Sequence, residues 1–402
     1  MRELLFLCHR IPYPPDKGDK IRAFHLLEHL SHSFDIHLGC LADDPDDLRY
    51  VPALRRLTAS IGCFPFGPRS ARLRSLAGLA LARPLSLDYF RSRKLSLWVA
   101  ATLAQRAIAQ VFVFSGAMAQ YVMQVQGPFR ILDMVDVDSQ KFAAYAQSAS
   151  VPMHFIWARE ARRLFAFERD AVQRFDHTLF VSPAEESRFL ELAPECAGRT
   201  GWIENGVDFD YFSPAHRLPS PFAADERAIV FTGRMDYKPN IDAVTWFADA
   251  VLPQLSRHRA TFVIVGAEPA PAVRALARRP RVVVTGRVAD TRPYLAHAAL
   301  AVAPMRIGRG IQNKVLEAMA LGRPVLASPA AVEGIRTGSE RSVLVAADAA
   351  ETVRMAEEVL GGKHPGLGAA ARRAVLRFHD WRATLARLDP ILDKSDDRKI
   401  SA

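Results

Sequence analysis

Short apolar runs alternate along this chain with longer stretches whose apolar positions recur every three or four residues. Residues 4–8 (LLFLC) read as a strand. Residues 12–18 hold three prolines and a glycine, so they form neither helix nor central strand and read as a loop. Asp19 then caps a helix that carries Ile21, Phe24, Leu27 and Leu30 on one face. Further strands are expected at 35–41, 111–115 and 131–137. Another at 178–181 runs into a Ser-Pro helix start. Strands alternating with helices imply a parallel, doubly wound α/β sheet.

The alternation breaks around Glu204-Asn205-Gly206-Val207-Asp208, where Pro214, Pro219 and Pro221 soon follow, and begins afresh at 229–233 (IVFTG). A helix over 240–256 comes next, then strands at 261–266, 281–286 and 299–304, a helix from about 312 and a strand at 324–328. The expected organisation is therefore an amino-terminal domain over 1–205 and a carboxyl-terminal domain over 206–375. A helix over 376–393 is expected to return to the first domain, with a disordered polar tail at 394–402. Three strands of the second half end in glycine, at Gly233, Gly266 and Gly286. Open α/β sheets bind ligands at the carboxyl ends of their strands, and glycine there lets a ligand approach the backbone.

With 402 residues the chain is long enough for two cores. The first apolar run is too short for a signal peptide, and no window is apolar over the ~18 residues a spanning helix needs. A cytoplasmic protein is expected. Four scattered cysteines (Cys8, Cys40, Cys63, Cys196) make no metal-type spacing and read as packing residues. The net charge of +10 allows nucleic acid, anionic lipid or phosphorylated small molecules as partners. No recognition motif or aromatic-interleaved basic run supports nucleic acid. Residues 69–94 carry seven basic residues interleaved with leucines against the single acid Asp88. That segment is either a solvated basic helix pair or a contact with an anionic membrane surface.

Two stretches carry the candidate chemistry. From Gly308 to Ala320 a glycine-containing loop with Arg309, Gly310, Ile311 and Gln312 runs into a helix opened by Asn313 and Lys314. Helix-start amides and their dipole suit a diphosphate, and Lys314 adds a fixed positive charge. Asn313 and Glu317 share a helical face, and a carboxylate one turn beyond a phosphate site can accept ribose hydroxyls. In the second stretch Arg234 follows Gly233 at a strand end and Lys238 lies four residues on, a pair able to clamp a pyrophosphate. The plainer readings are a capped structural helix and surface cations beside a loop.

Together with Val284-Thr285-Gly286-Arg287-Val288, these stretches resemble the donor domain of family-4 retaining glycosyltransferases of the GT-B fold. Residues 203–208 with Phe212 and Pro214 resemble that family's interdomain junction. Residues 10–22 and 133–139 resemble the sugar transferases associated with PEP-CTERM/exosortase exopolysaccharide systems. The resemblance implies two Rossmann-like domains facing across a cleft, a nucleotide-sugar donor, and a lipid-linked or growing polysaccharide acceptor at the cytoplasmic face of the inner membrane. It implies that Arg234 and Lys238 hold the diphosphate and stabilise the leaving group. Gly286, Arg287 and Val288 would line the base pocket, Gly310, Ile311 and Gln312 would meet phosphate or sugar, and Glu317 would bind ribose. Gly18 would approach the donor phosphate or acceptor, with Asp16, Lys17, Asp19 and Arg22 on the acceptor side. Two positions depart from the family pattern. Arg309 stands eight residues before Glu317, where the family often has a glutamate, and Phe114-Ser115-Gly116 stands where its amino-terminal histidine is sought.

Asp43-Asp44-Pro45-Asp46-Asp47 reads as a solvated charge run and Asp136-Val137-Asp138 as a strand end, although both resemble the metal-binding acid pairs of the other large glycosyltransferase fold. A donor site made of cations and helix termini needs no metal or other cofactor, and none is expected. A nucleotide-sugar epimerase on the same fold and a non-catalytic donor-binding scaffold are the competing functions.

Overall fold

A computed structural model of the protein describes residues 2–15, 18–80, 83–307 and 311–400. Asp16, Lys17, Arg309 and Gly310 therefore lie outside the described residues. The chain divides into two compact units, Met1–Ile203 with Leu385–Ala402, and Glu204–Thr384.

The first unit is built on seven parallel strands: β1 (Arg2–Cys8), β2 (Phe34–Ala42), β3 (Ser60–Pro65), β4 (Ile108–Phe114), β5 (Phe129–Val135), β6 (His177–Phe180) and β7 (Thr200–Trp202). Their order is β3-β2-β1-β4-β5-β6-β7, so the winding reverses between β1 and β4. Leu5 and Leu7 of β1 pack with Val111 and Val113 of β4 in a core that excludes water. The apolar pattern missed β3 and β7. The first is an edge strand with a mixed burial pattern and the second is three residues long, so neither is an apolar run. Cys8, Cys40 and Cys63, remote in sequence, are register partners on β1, β2 and β3. Hydrogen bonding with Cys40 and burial hold the Cys63 thiol far above its ordinary range.

The second unit holds β8 (Ala228–Thr232), β9 (Thr261–Val265), β10 (Val282–Gly286), β11 (Leu300–Ala303), β12 (Val325–Ala327) and β13 (Leu344–Val345). The order β10-β9-β8-β11-β12-β13 reverses between β8 and β11, again with all strands parallel. In place of one helix over 240–256, an α-helix (Lys238–Trp246) passes through a π turn (Phe247–Val251) into 3-10 turns (Leu252–His258). Pro253, which has no amide hydrogen to donate, breaks the regular ladder there.

The second unit extends to Thr384, beyond the 376 at which the return was expected. His379 holds the segment: Nδ1 donates to the Asn205 carbonyl (3.1 Å) and Nε2 accepts from the Arg336 amide (3.0 Å). Burial lowers the His379 pKa, which favours this neutral form. From Leu385 the chain belongs to the first unit, where buried Gln110 donates to the Leu392 carbonyl (2.8 Å) and His29 meets Asp389 (2.8 Å). Anchored there, the helix Asp389–Ile400 continues through residues expected to be disordered, because extending a nucleated helix costs little. No helix among the described residues is long and apolar enough to cross a membrane.

Candidate functional site

The carboxyl ends of β8 and β9 approach closely in the second unit. A Cβ on Gly266 (φ +155°) would fall 1.7 Å from the Gly233 carbonyl oxygen, so only glycine permits this contact. Next along the chain from Gly233, the Arg234 guanidinium takes Asp236 bidentately (Nε 3.0 Å, Nη2 2.6 Å) and Glu268 through Nη2 (2.5 Å). Lys238 is exposed at the first residue of the helix Lys238–Trp246.

Asn240, buried in the first turn of that helix, joins the two candidate stretches. Its Nδ2 donates to the Arg234 carbonyl (2.8 Å), and its Oδ1 accepts from Lys314 Nζ (2.7 Å). The Lys314 ammonium also lies 4.2 Å over the Phe231 ring and 3.9 Å from the Met305 sulfur. Burial pushes the Lys314 pKa down to about 7, against the pull of Glu317. The expected fixed charge is thus one that titrates near neutrality, because its surroundings are an aromatic face and a thioether. Burial likewise pushes Glu317 up to about 7, with Lys314 opposing.

The helix bearing these residues spans Asn313–Ala320, and no side chain caps its start at Gln312. Asn313, on the same helical face as Glu317, accepts from Asn205 Nδ2 (3.1 Å) and so ties the helix to the 204–207 segment. Ile311 is buried, and Val288 is half-buried. Gly286 ends β10 at φ +69° with open space where a Cβ would stand, and Arg287 is exposed, 3.8 Å from Glu268.

Tyr211, Asn240, Glu268 and Arg292 join this neighbourhood although the sequence did not single them out. Arg292 lies 3.8 Å over the exposed Tyr211 ring and grips Asp290. Burial, then Asp290 and Glu317 among the nearby acids, raise the Tyr211 phenol pKa. Only Asn240 had a visible signal, its place in the 231–240 stretch. The unit also has a largely apolar cavity of about 480 Å³ beside Met305, Arg306 and Ser328, and Arg234, Lys238 and Glu317 lie outside its lining.

In the first unit the described acceptor-side residues Asp19 and Arg22 are engaged internally. Arg22, 1 % exposed, pairs bidentately with Asp133 (2.8 and 3.0 Å) and donates to the Ile203 carbonyl (2.7 Å), so it locks the sheet rather than facing a ligand. Asp19, expected as a helix cap, bonds His9 (3.1 Å) and Arg10 (2.5 Å), and Arg10 reaches Asp43 (2.8 Å). Burial would raise the Asp19 pKa, but His9 and Arg10 together hold it far below the carboxylate range. Gly18 opens the helix Gly18–Ser31. The Asp43–Asp47 run is not simply solvated: Asp47 is buried against Lys20 (2.6 Å), and Asp44 caps a 3-10 turn. Burial, then Glu185 and Asp138, raise Asp136 to about 7. Burial also raises Glu168, bonded to Ser139, to about 8. Glu168, Ser115 and Lys141 line a cavity of about 130 Å³ beside the ends of β4 and β5. Ser115, at the position where a histidine was sought, has φ +80°. Among the described residues no cluster of three or more His, Cys, Asp or Glu side chains could hold a metal ion.

Residues 226–361 match the family model described as glycosyl transferases group 1. No curated protein matches the chain. Solved structures with the same fold include sucrose-phosphate synthase from Thermosynechococcus elongatus (TM-score 0.74, 18% identity, covering 98% of this chain and 99% of that one). HepE of Anabaena, solved with UDP and glucose, aligns at TM-score 0.65 and 14% identity over 98% and 100% of the two chains. WaaG, a glycosyltransferase involved in lipopolysaccharide biosynthesis, aligns at TM-score 0.63 and 14% identity over 95% and 99%. The second unit carries a group 1 glycosyl transferase domain, and the protein is a glycosyltransferase of GT-B fold, built on two parallel-sheet α/β domains.

Proposed function

We propose that the protein transfers a sugar from a nucleotide-diphosphate sugar to a lipid-linked or growing polysaccharide acceptor, with retention, in exopolysaccharide synthesis. The observation that carries this reading is the Asn240 node, which joins the Arg234 backbone to the Lys314 ammonium. It gathers cations beside a helix start and a carboxylate one turn on, the set that a nucleoside diphosphate requires. Arg234 and Lys238 hold the diphosphate and take up the charge that develops on the leaving phosphate. Lys314 gains its full charge when phosphate approaches, since an anion favours the ammonium form. Glu317 accepts from the ribose hydroxyls, and the backbone of Gly286 to Val288 lines the base. No metal ion is needed to offset the phosphate charge. HepE, solved with UDP and glucose, makes uridine nucleotides the first donors to test.

The exopolysaccharide and exosortase-associated role rests on the residue pattern at 10–22 and 133–139. A membrane-proximal acceptor is supported by the basic segment 69–94, where Leu73 (71% exposed) and the nearby Leu97 (61%) are open to an anionic lipid surface. Such a contact places the reaction at the cytoplasmic face of the membrane.

The test is nucleoside-diphosphate release from a panel of nucleotide sugars, with a lipid-linked acceptor present. Arg234→Ala and Glu317→Ala should each lower turnover by about 100-fold or more with unchanged circular dichroism. Chelation with EDTA should leave the rate intact. Normal turnover in both variants refutes the assignment of the site.

A further inference from the structure

Glu268 lies three residues past the end of β9 and adopts φ +56°, a left-handed conformation that side-chain-bearing residues rarely occupy. This backbone carries a carboxylate into the middle of the proposed diphosphate clamp. One oxygen takes Arg234 Nη2 at 2.5 Å, and the other stands 3.8 Å from Arg287. Asp236 takes Nε and the same Nη2 of Arg234. Two arginines and two carboxylates thus form a locally neutral set.

A guanidinium fork donates to a carboxylate or to a phosphate through the same N–H groups. A phosphate that grips Arg234 bidentately, through Nε and Nη2 or through Nη1 and Nη2, must therefore take Nη2, the nitrogen that Glu268 and Asp236 share. Glu268 is the freer of the two: its side chain is half exposed, it contacts Arg234 through a single nitrogen, and its contact with Arg287 is longer. Exchange there is cheap, since a half-exposed ion pair is weakly held.

Resting on the function proposed above, we propose that Glu268 competes with the donor's diphosphate for Arg234, and so limits how tightly donor and nucleoside-diphosphate product are bound. The carboxylate acts as a built-in counter-ion. It gives up the guanidinium as the diphosphate arrives and reclaims it as the product leaves. The rival role, a brace that merely aims Arg234 at its ligand, makes the opposite demand: removing the charge of Glu268 should then weaken binding.

Isothermal titration of inorganic pyrophosphate and of UDP into wild type, Glu268→Gln, Arg234→Ala and the double variant separates the two. Glu268→Gln keeps the shape and removes the charge. It should tighten both ligands by about fivefold, the effect of deleting one half-exposed like charge. Arg234→Ala should weaken both, and in that background Glu268→Gln should change affinity by less than about twofold. Affinity unchanged or weaker in Glu268→Gln overturns the competition while leaving the clamp intact. Affinity unchanged in Arg234→Ala removes the clamp itself, and the function proposed above fails with it.

Discussion

The two sheets share a winding pattern, yet their carboxyl ends use charge in opposite ways. In the first unit Arg22, Lys20 and Arg10 are each matched to carboxylates, and Arg22 and Lys20 are sealed from water. In the second unit Arg234, Lys238 and Arg287 stand at least partly in solvent, and Gly233 and Gly266 keep the backbone bare. A buried ion pair with one partner removed leaves an uncompensated charge, whereas an exposed one lets water take over. Cations are thus mostly sealed into ion pairs in the first unit and stand at least partly in solvent in the second.

The comparison breaks most visibly at its two arginines. Arg22→Ala strands Asp133, which is wholly buried, and should cost about 3–5 kcal/mol of unfolding free energy in urea titrations. Arg234→Ala should cost less than about 1 kcal/mol in the same experiment. Equal losses would mean that both arginines serve the fold.

Acidic groups sharpen the contrast through pH. Glu168 is raised to about 8 in the fold, so the folded state binds a proton that the unfolded state releases above about 4.5. Its contribution is complete below that lower value and is lost as pH rises toward 8. The loss should be on the order of 4 kcal/mol between pH 5 and 8.5, and Glu168→Gln should flatten it in denaturation at pH 5, 7 and 8.5. Asp136 and Glu317, also raised, keep some of the slope in that variant. A slope that Glu168→Gln leaves unaltered would put the titrating group elsewhere.

The smallest effect belongs to the ligand side. Lys314 titrates near 7 alone and gains a phosphate partner on binding, which raises its pKa. UDP binding at pH 7.5 should take up about three-quarters of a proton, and at pH 6 much less, because the amine is already charged there. Calorimetry in two buffers of different ionisation enthalpy measures this. No uptake at pH 7.5 would show that Lys314 does not meet the phosphate.

Much of the scaffold was legible because buried parallel strands are near-continuous apolar runs, as in the TFVIV of β9. The candidate site was legible where the chain is locally organised: Gly233 before Arg234, and Asn313 to Glu317 on one helical turn. Glu268 was not, and the tie from Asn240 to Lys314 was not, because their partners Arg234 and Lys314 lie far along the sequence and nothing local marks the pairing. Arg22 was misread for the same reason. It lies on the helix Gly18–Ser31 just after a polar loop, and the carboxylate that pairs with it is 111 positions away.

By itself the sequence determined the α/β alternation, the break near residue 204 and the glycine and cation pattern at the strand ends of the second half. Those features follow from short-range sterics and hydrophobic period, which act between near neighbours in the chain. Only the tertiary structure decided which charges are neutralised from within, which carboxylate shares Arg234, and that Lys314 is a titrating rather than a permanent cation. Such outcomes depend on desolvation and on distances of a few ångströms between segments remote in sequence, and burial is a property of the packed fold.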